Sequence, residues 1–409
     1  MQKSPSIQNS NPVATVYDHE KYARLSIQQI RWIMKSIGIW PNSFQFSSPI
    51  MKYVRVLINV ICVGIVTFVF IPCVFYVVLE VEDIYNTLKF IGPLSFCLMT
   101  IVKYSTLAFR RRDIRVCIEH IKTDWTKTWY HDDRAIMTRN AVFGRRLIVI
   151  NGFFAYSGAI FFHIAMPIGM GKITESNLTY QPLAYPVARV IVDTRYSPIN
   201  EIFFWTQFVS AVISQTVATA TCGLTAVLAV HAYGRLEVLM QWIMHLVDGR
   251  EDFSNNVDDR LAIIVQEHVR ILCFIELTEK VLHKISLVEV MGNTLNICLL
   301  GYYTIMEWED GFAITYIILL MSVVFNLFIF CYIGELVAEQ FKRVSEISYM
   351  IDWHRLSGRK ALAIVLMIAI SNSSVKLTAG NIIELSMTSF GDVIKTSVAY
   401  LNMLRALTT

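Results

Sequence analysis

The sequence predicts an all-α integral membrane protein with seven transmembrane helices, a cytoplasmic amino terminus, a split seventh helix and cytoplasmic helical extensions. Three observations carry that prediction. Of 409 residues, 55% are apolar and only 17% charged, against about 25% charged in ordinary soluble domains. The apolar residues are gathered into uncharged runs of membrane length. Lys and Arg are concentrated in alternate connecting segments. A net charge of +4 is too small to mark a nucleic-acid surface. The eight cysteines form no C-x-x-C pair, so neither a disulfide framework nor a zinc site is expected, and no cofactor is implied.

A bilayer core of about 30 Å needs roughly 20 helical residues. Residues 56–79, 147–171, 202–234 and 311–334 meet that length without a single Asp, Glu, Lys or Arg. Residues 90–109 carry one charge, Lys103, and residues 285–306 carry one, Glu289. Lys103 lies near the end that meets Arg110, Arg111 and Arg112, where a lysine is expected to extend its ammonium to the headgroups. The seventh span is expected in two pieces. Residues 361–370 are too short to cross alone, and the polar run Ser371 to Ser374 with Gly380 beyond it invites a break.

The basic residues assign the sides. With the amino terminus inside, 28 Lys and Arg fall on inner segments, 5 on outer segments and 3 within spans, as the positive-inside bias requires. The first 20 residues lack the continuous apolar core of a secretory signal, so the amino terminus is expected to stay cytosolic. The Asn177-Leu178-Thr179 triplet falls outside under this assignment and is a candidate glycan acceptor.

Helical spacing continues beyond the spans. Leu236, Leu239, Trp242, Ile243 and Leu246 recur at three- and four-residue steps, the run DGREDFSNNVDD interrupts them, and Leu261, Val265, Ile271, Leu272 and Ile275 resume. Residues 235–284 are therefore expected to form a cytoplasmic helical hairpin. Tyr349, Trp353 and Leu356, at i, i+4 and i+7, are expected on one helical face, either packed within the chain or forming a subunit interface. Ile30, Ile33, Met34 and Ile37 mark a helix on the inner membrane surface, ending at Gly38. The organisation is thus a cytoplasmic segment 1–55, six spans within 56–334, and an anchor helix with the split seventh span in 335–409. No internal repeat of the transporter kind is visible. The chain shows no H-E-x-x-H, G-x-S-x-G or phosphate-binding glycine loop, so it is not expected to be an enzyme.

Three stretches resemble the insect odorant receptors: IGIWP at 37–41, CYIGELVAEQ at 331–340, and the run from Tyr349, Trp353 and Leu356 through VKLTAGNIIELSMTSFGDVIKTSVAYLNMLRAL. Many members of that family carry a proline where this chain has Ser374. The resemblance implies a heterotetrameric ligand-gated cation channel in the plasma membrane of olfactory sensory neurons. In it an odour-tuning subunit assembles with the odorant receptor co-receptor and the last helices surround the pore. The co-receptor itself has a longer loop between its fourth and fifth spans, whereas the 235–284 segment here is compact. The gustatory receptors share the architecture, and a G-protein-coupled receptor would need the opposite orientation together with D-R-Y and N-P-x-x-Y motifs that are absent here.

In the last helix Thr396, Tyr400, Met403 and Leu407 form a stripe at steps of four, three and four. The resemblance sets Met403 at the pore constriction, where an apolar ring can close a pathway by dewetting. Glu384, Asp392 and Lys395 are charges expected at membrane depth, the last two spaced to pair. A small volatile, apolar odorant needs a pocket in the outer halves of spans two to six. The candidates are Phe90 and Leu94 on the second span and Ala159, Phe162, His163 and Met166 on the third. Phe204 and Phe208 on the fourth and Tyr316 and Leu319 on the sixth complete the set. At about 0.8 kcal/mol per buried methylene, an odorant of eight to ten carbons gains roughly 6–8 kcal/mol, a Kd from tens of micromolar down to about one micromolar. His163 and Tyr316 could add a directional hydrogen bond to a carbonyl or hydroxyl.

Overall fold

The computed structural model describes residues 12–41, 49–128, 130–175, 178–251, 254–308, 313–373 and 376–408. Seven long helices form the bundle: α2 (Pro49–Leu79), α3 (Ile84–Phe109), α5 (His131–Ile160), α7 (Ile199–Met244), α8 (Val257–Met306), α9 (Ala313–Met350) and α11 (Met387–Thr408). Three further helices among the described residues cluster at the basic end, α1 (Pro12–Ser36), α4 (Arg111–Lys127) and α10 (Gly358–Asn372). α5 continues through a π-helical turn, Phe161–Ala165, into the short α6 (Met166–Met170). On length and apolarity alone, α2, α3, α5 with its continuation, α7 and α9 could each cross a membrane. α8 and α11 complete the seven.

α7 is the axis of the bundle. From Thr216 to Ala232 every residue is buried, and the small residues Ala218, Ala220 and Gly223 let neighbouring helices come close. A Cβ at Gly223 would meet Ile30 at 3.1 Å and Ile148 at 3.4 Å, so α1 and α5 both press on this point. At 46 and 50 residues, α7 and α8 reach about 69 and 75 Å, far beyond a bilayer core of about 30 Å. Their excess forms the hairpin expected over 235–284. Leu236, Leu239, Ile243 and Leu246 are buried in it. The guanidinium of Arg260 closes its tip by donating to the carbonyls of Leu246, Val247 and Ser254 at 2.8–2.9 Å.

α1 does more than lie on the inner surface. Ile30, Met34 and Ile37 are buried against α4, α5 and α7, while Arg31 and Lys35 stay exposed. The chain then turns at Gly38, where φ is +69° and a side chain would come within 2.7 Å of the Asn59 amide oxygen. The Tyr104 hydroxyl donates to the Ile37 carbonyl at 2.7 Å and ties this turn to α3.

The split expected before the last crossing is present, between α10 and α11, but its first piece lies elsewhere than the sequence reading placed it. α10, which contains residues 361–370, packs on the membrane-distal parts of α9 and α8. Lys360 pairs with Asp258 at 2.8 Å, and the Ser371 hydroxyl lies 3.2 Å from His268 Nε2. Asp258 and His268 precede the apolar part of α8 by many residues, so α10 lies beside the cytoplasmic extension and α11 alone makes the crossing. Its 22 residues reach about 33 Å, which suffices. Between α10 and α11 runs a small hairpin, β3 (Thr378–Ala379) with β4 (Ile383–Glu384). It turns through Gly380 and Asn381, both at positive φ. The Gly380 amide donates to the His283 carbonyl at 2.8 Å, fixing the hairpin on α8. Glu384 therefore belongs to this hairpin rather than to the span, and it pairs with Lys376 at 2.6 Å.

The seam expected from Tyr349, Trp353 and Leu356 is not one continuous helix. α9 ends at Met350, Trp353 starts a 3-10 turn, and Leu356 is extended. Tyr349 and Trp353 are exposed, whereas Leu356 packs on the core.

Candidate ligand cavity and water-facing helix

Between the outer halves of α3, α5, α7, α8 and α9 lies a cavity of about 270 Å³. Phe90 lines it from α3, Ala159 from α5, Phe162 and His163 from the π turn, Met166 from α6, and Tyr316 and Leu319 from α9. The other three expected residues point elsewhere. Leu94 packs with Val66, Val69 and Tyr185 on the side of α3 that meets α2. Phe204 and Phe208 share the ring contacts of the exposed Trp205, because α7 turns Ala211, Gln215 and Ala218 to the cavity instead.

The roof was not legible in the sequence. An outer hairpin, β1 (Ile173–Glu175) with β2 (Leu178–Tyr180), leads into a loop whose Pro182, Leu183, Ala184 and Tyr185 close the cavity. Gln207 holds this loop from α7. Its side-chain oxygen accepts from the Tyr185 amide at 3.1 Å and its Nε2 donates to the Tyr185 carbonyl at 2.6 Å. Such a pair satisfies a stretch of loop backbone that burial would otherwise leave without partners. Asn177 lies between β1 and β2, outside the described residues.

The cavity floor is charged. Lys103 does not reach the headgroups as expected. It is 2% exposed, and its ammonium meets Glu289 at 2.9 Å. The Glu289 carboxylate also accepts from Thr221 (3.2 Å), Asn293 (3.3 Å) and Asn326 (3.1 Å). Four helices thus converge on one carboxylate, and Lys103, Glu289, Asn293 and Asn326 all border the cavity. Pairing beats extension here because a carboxylate of opposite sign stands at the same depth, and its attraction, with the hydrogen bonds Glu289 accepts, offsets part of the cost of burying both ions. A sequence signal existed: the two spans carry one charge each, of opposite sign, close to their inner ends. Near the outer mouth Lys89 pairs with Glu307 at 2.6 Å.

A second buried network lies toward the basic end of the bundle. Asp124 on α4 accepts from His231 Nε2 at 2.8 Å and from Arg270 Nε at 2.7 Å, with His120 Nδ1 at 3.2 Å. Burial alone would raise this carboxyl, yet the histidine hydrogen bonds and the nearby Arg235 charge hold it well below the usual carboxylate range. This network ties α4 to α7 and α8. Among the described residues no group of three or more His, Cys, Asp or Glu is placed to hold a metal ion.

α11 has two faces. Ser397 donates to the Thr294 carbonyl at 3.1 Å, and Leu401 and Leu404 pack on the bundle, where Gly301 of α8 gives Leu401 room. The opposite face carries Thr396, Tyr400 and Met403, all exposed, with Asp392 and Lys395 paired at 3.7 Å and mostly exposed. The side chain of Leu407 lies outside the described residues. A face bearing two ions is costly against lipid, about 2.5–3.5 kcal/mol for each charge near the centre. It fits a face turned to water.

A multi-pass helical bundle with a roofed cavity in its outer half, apolar along its walls and charged at its floor, and one helix turning a charged face outward, sets the class of protein to compare it with. Residues 83–398 match the family model described as 7tm Odorant receptor, and the chain belongs to the insect odorant receptor family. It is similar to Odorant receptor 13a of Drosophila melanogaster, 26% identical over 188 residues that cover 42% of this chain and 45% of that one. Odorant receptor 33b of the same fly is 19% identical over 175 residues, covering 42% and 46%. The chain therefore spans about half the length of the curated relatives it matches. Among solved structures it is similar to the insect olfactory receptor OR5 from Machilis hrabei in complex with eugenol. The TM-score is 0.80 at 16% identity, covering 95% of this chain and 100% of that one. That likeness shows the fold.

Proposed function

We propose that this chain is the odour-binding subunit of a ligand-gated, non-selective cation channel assembled with the odorant receptor co-receptor in the plasma membrane of olfactory sensory neurons. The observation that carries the reading is the outward face of α11. Its charges and its Thr396, Tyr400 and Met403 stripe have no partner helix among the described residues of this chain. A four-fold arrangement of such helices would enclose water, with Met403 and Leu407 as the constriction that closes by dewetting.

The cavity supplies the other half of the mechanism. α8 and α9 both line it and both pack on α11, so a ligand that wedges them apart can shift α11. To move the gate from 1:99 to 99:1, the odorant must favour the open state by about 5.5 kcal/mol. That is most of what an apolar ligand of this size gains on burial, so the cavity must differ in shape between closed and open states. Exposed Tyr349 and Trp353 are the proposed subunit contact near the cytoplasmic end, and Asn177 the proposed glycan site on the outer hairpin. The compact tip between α7, which ends at Met244, and α8, which begins at Val257, favours an odour-tuning subunit over the co-receptor.

The test is a patch-clamp recording of odorant-evoked cation current from cells expressing this chain with and without the co-receptor. Current only in the pair supports the division of labour. Equal current from this chain alone removes it.

A further inference from the structure

The cavity contains polar atoms that no group among the described residues satisfies. His163 and Tyr303 are both more than nine-tenths buried and both line it, and the His163 Nε2 and Tyr303 hydroxyl have no hydrogen-bond partner. The Asn326 side-chain oxygen, also on the lining, is buried without a partner as well. Buried polar groups are nearly always paired, so unpaired ones around an open volume mark what an occupant brings.

The hydrogen-bond chemistry fixes the polarity of these atoms. His163 Nδ1 lies 3.2 Å from the Ala159 carbonyl. A carbonyl only accepts, so in the neutral ring Nδ1 carries the hydrogen and Nε2 presents a lone pair. Asn326 is fixed in the same way. Its partner is the Glu289 carboxylate at 3.1 Å, which also only accepts, so the amide nitrogen must face Glu289 and the oxygen must face away. Two of the three unpaired atoms are therefore acceptors, and Tyr303 can either give or take. A carbonyl ligand brings acceptors alone and could satisfy only Tyr303. A hydroxyl ligand can donate to His163 while accepting from Tyr303.

The two acceptors also lie at different depths. His163 is seven residues from the outer end of α6, about 10 Å along the axis, whereas Asn326 is thirteen residues into α9, about 20 Å. Phe162, Met166 and Leu319 supply apolar wall along the cavity.

We infer that the cavity is built for an alcohol: an elongated apolar molecule whose hydroxyl donates to His163 Nε2, in preference to an aldehyde, ketone or ester of the same length. This inference rests on the cavity being the odorant site, and its test separates the two. Cells expressing the chain with the co-receptor are given a 1-alkanol, the matching n-alkanal and the matching n-alkane over a range of chain lengths, and the half-maximal concentration of the evoked current is read. The alcohol should act at a concentration about tenfold below that of the aldehyde, as expected when a buried acceptor is left unpaired by the wrong ligand. The His163→Phe variant should abolish the alcohol's advantage, read as the ratio of the alcohol and aldehyde half-maximal concentrations within that one variant. An aldehyde as potent as the alcohol, a chain silent to every alcohol, or an alcohol preference that survives His163→Phe would overturn the inference. The Ala159→Trp variant, which fills the cavity, distinguishes the failures. Undiminished responses in that variant mean the ligand binds elsewhere, and the underlying reading fails. Silence in it, together with no alcohol preference in the native chain, means that only the hydroxyl assignment is wrong.

Discussion

The ammonium of Lys103 on α3 and the carboxylate of Glu289 on α8 meet at 2.9 Å inside the bundle, each the only charge in its own apolar stretch. Removing one partner strands the other in a medium that cannot solvate it, at a cost of about 3–5 kcal/mol. Glu289→Leu and Lys103→Met should each lower the thermal midpoint and the surface level of the chain. The double substitution should recover much of the loss, because apolar residues then replace both ions. Fluorescence-detected thermal unfolding of the four forms measures the coupling, and additive losses would show that the pair is not one unit.

The Gln207 amide fastens the cavity roof to α7. Gln207→Leu removes both hydrogen bonds to Tyr185 while keeping similar bulk. About 1–3 kcal/mol follows from two buried backbone groups losing partners. Odorant dose–response curves should shift to higher concentration by about tenfold, with the maximal current retained. A reduced maximum with an unshifted midpoint would mean that the loop serves gating rather than retention of ligand.

Two glycines should respond differently to the same change. A Cβ at Gly334 would stand 2.2 Å from the Leu385 carbonyl oxygen, a backbone atom that enters α11, whereas at Gly292 the conflicting atoms belong to the flexible end of Met99. Gly334→Ala should therefore lower expression and current strongly, and Gly292→Ala only mildly, since Met99 can choose another rotamer. Surface biotinylation together with peak current tests the order, and equal effects would contradict the backbone argument.

The constriction assignment predicts a gain of function. Replacing Met403 with Ser makes that ring wetter and lowers the barrier of a dewetted gate. Resting conductance should rise, or the ratio of permeabilities among monovalent cations should change. Currents indistinguishable from the native channel would remove Met403 from the pathway.

Membrane-length runs without charge were legible because hydrophobicity over about twenty residues is a strong, local signal. The α7–α8 hairpin was legible because the spacing of Leu236, Leu239 and Leu246 resumes at Leu261. The position of α10 was misread because residues 361–370 are as apolar as a span. What places them beside the extension of α8 is long-range, the contacts of Lys360 with Asp258 and of Ser371 with His268. The same holds in the cavity. Residues that follow a helix face, such as Ala159, Phe162 and Met166, could be read from spacing. The roof at Pro182 to Tyr185 and the Lys103–Glu289 floor depend on which elements meet in space, and the rotation of α7 that turns Phe204 and Phe208 aside has no local signature.

The central claim is that the bundle-averted face of α11 borders the permeation path. Cysteines introduced singly at Thr396, Tyr400 and Met403, and as controls at Ser397, Leu401 and Leu404, can be exposed to a charged, membrane-impermeant thiol reagent during odorant-evoked current. The account predicts rapid block at the first three positions and unchanged current at the other three. Block at Ser397, Leu401 and Leu404 with none at Thr396, Tyr400 and Met403 would contradict it.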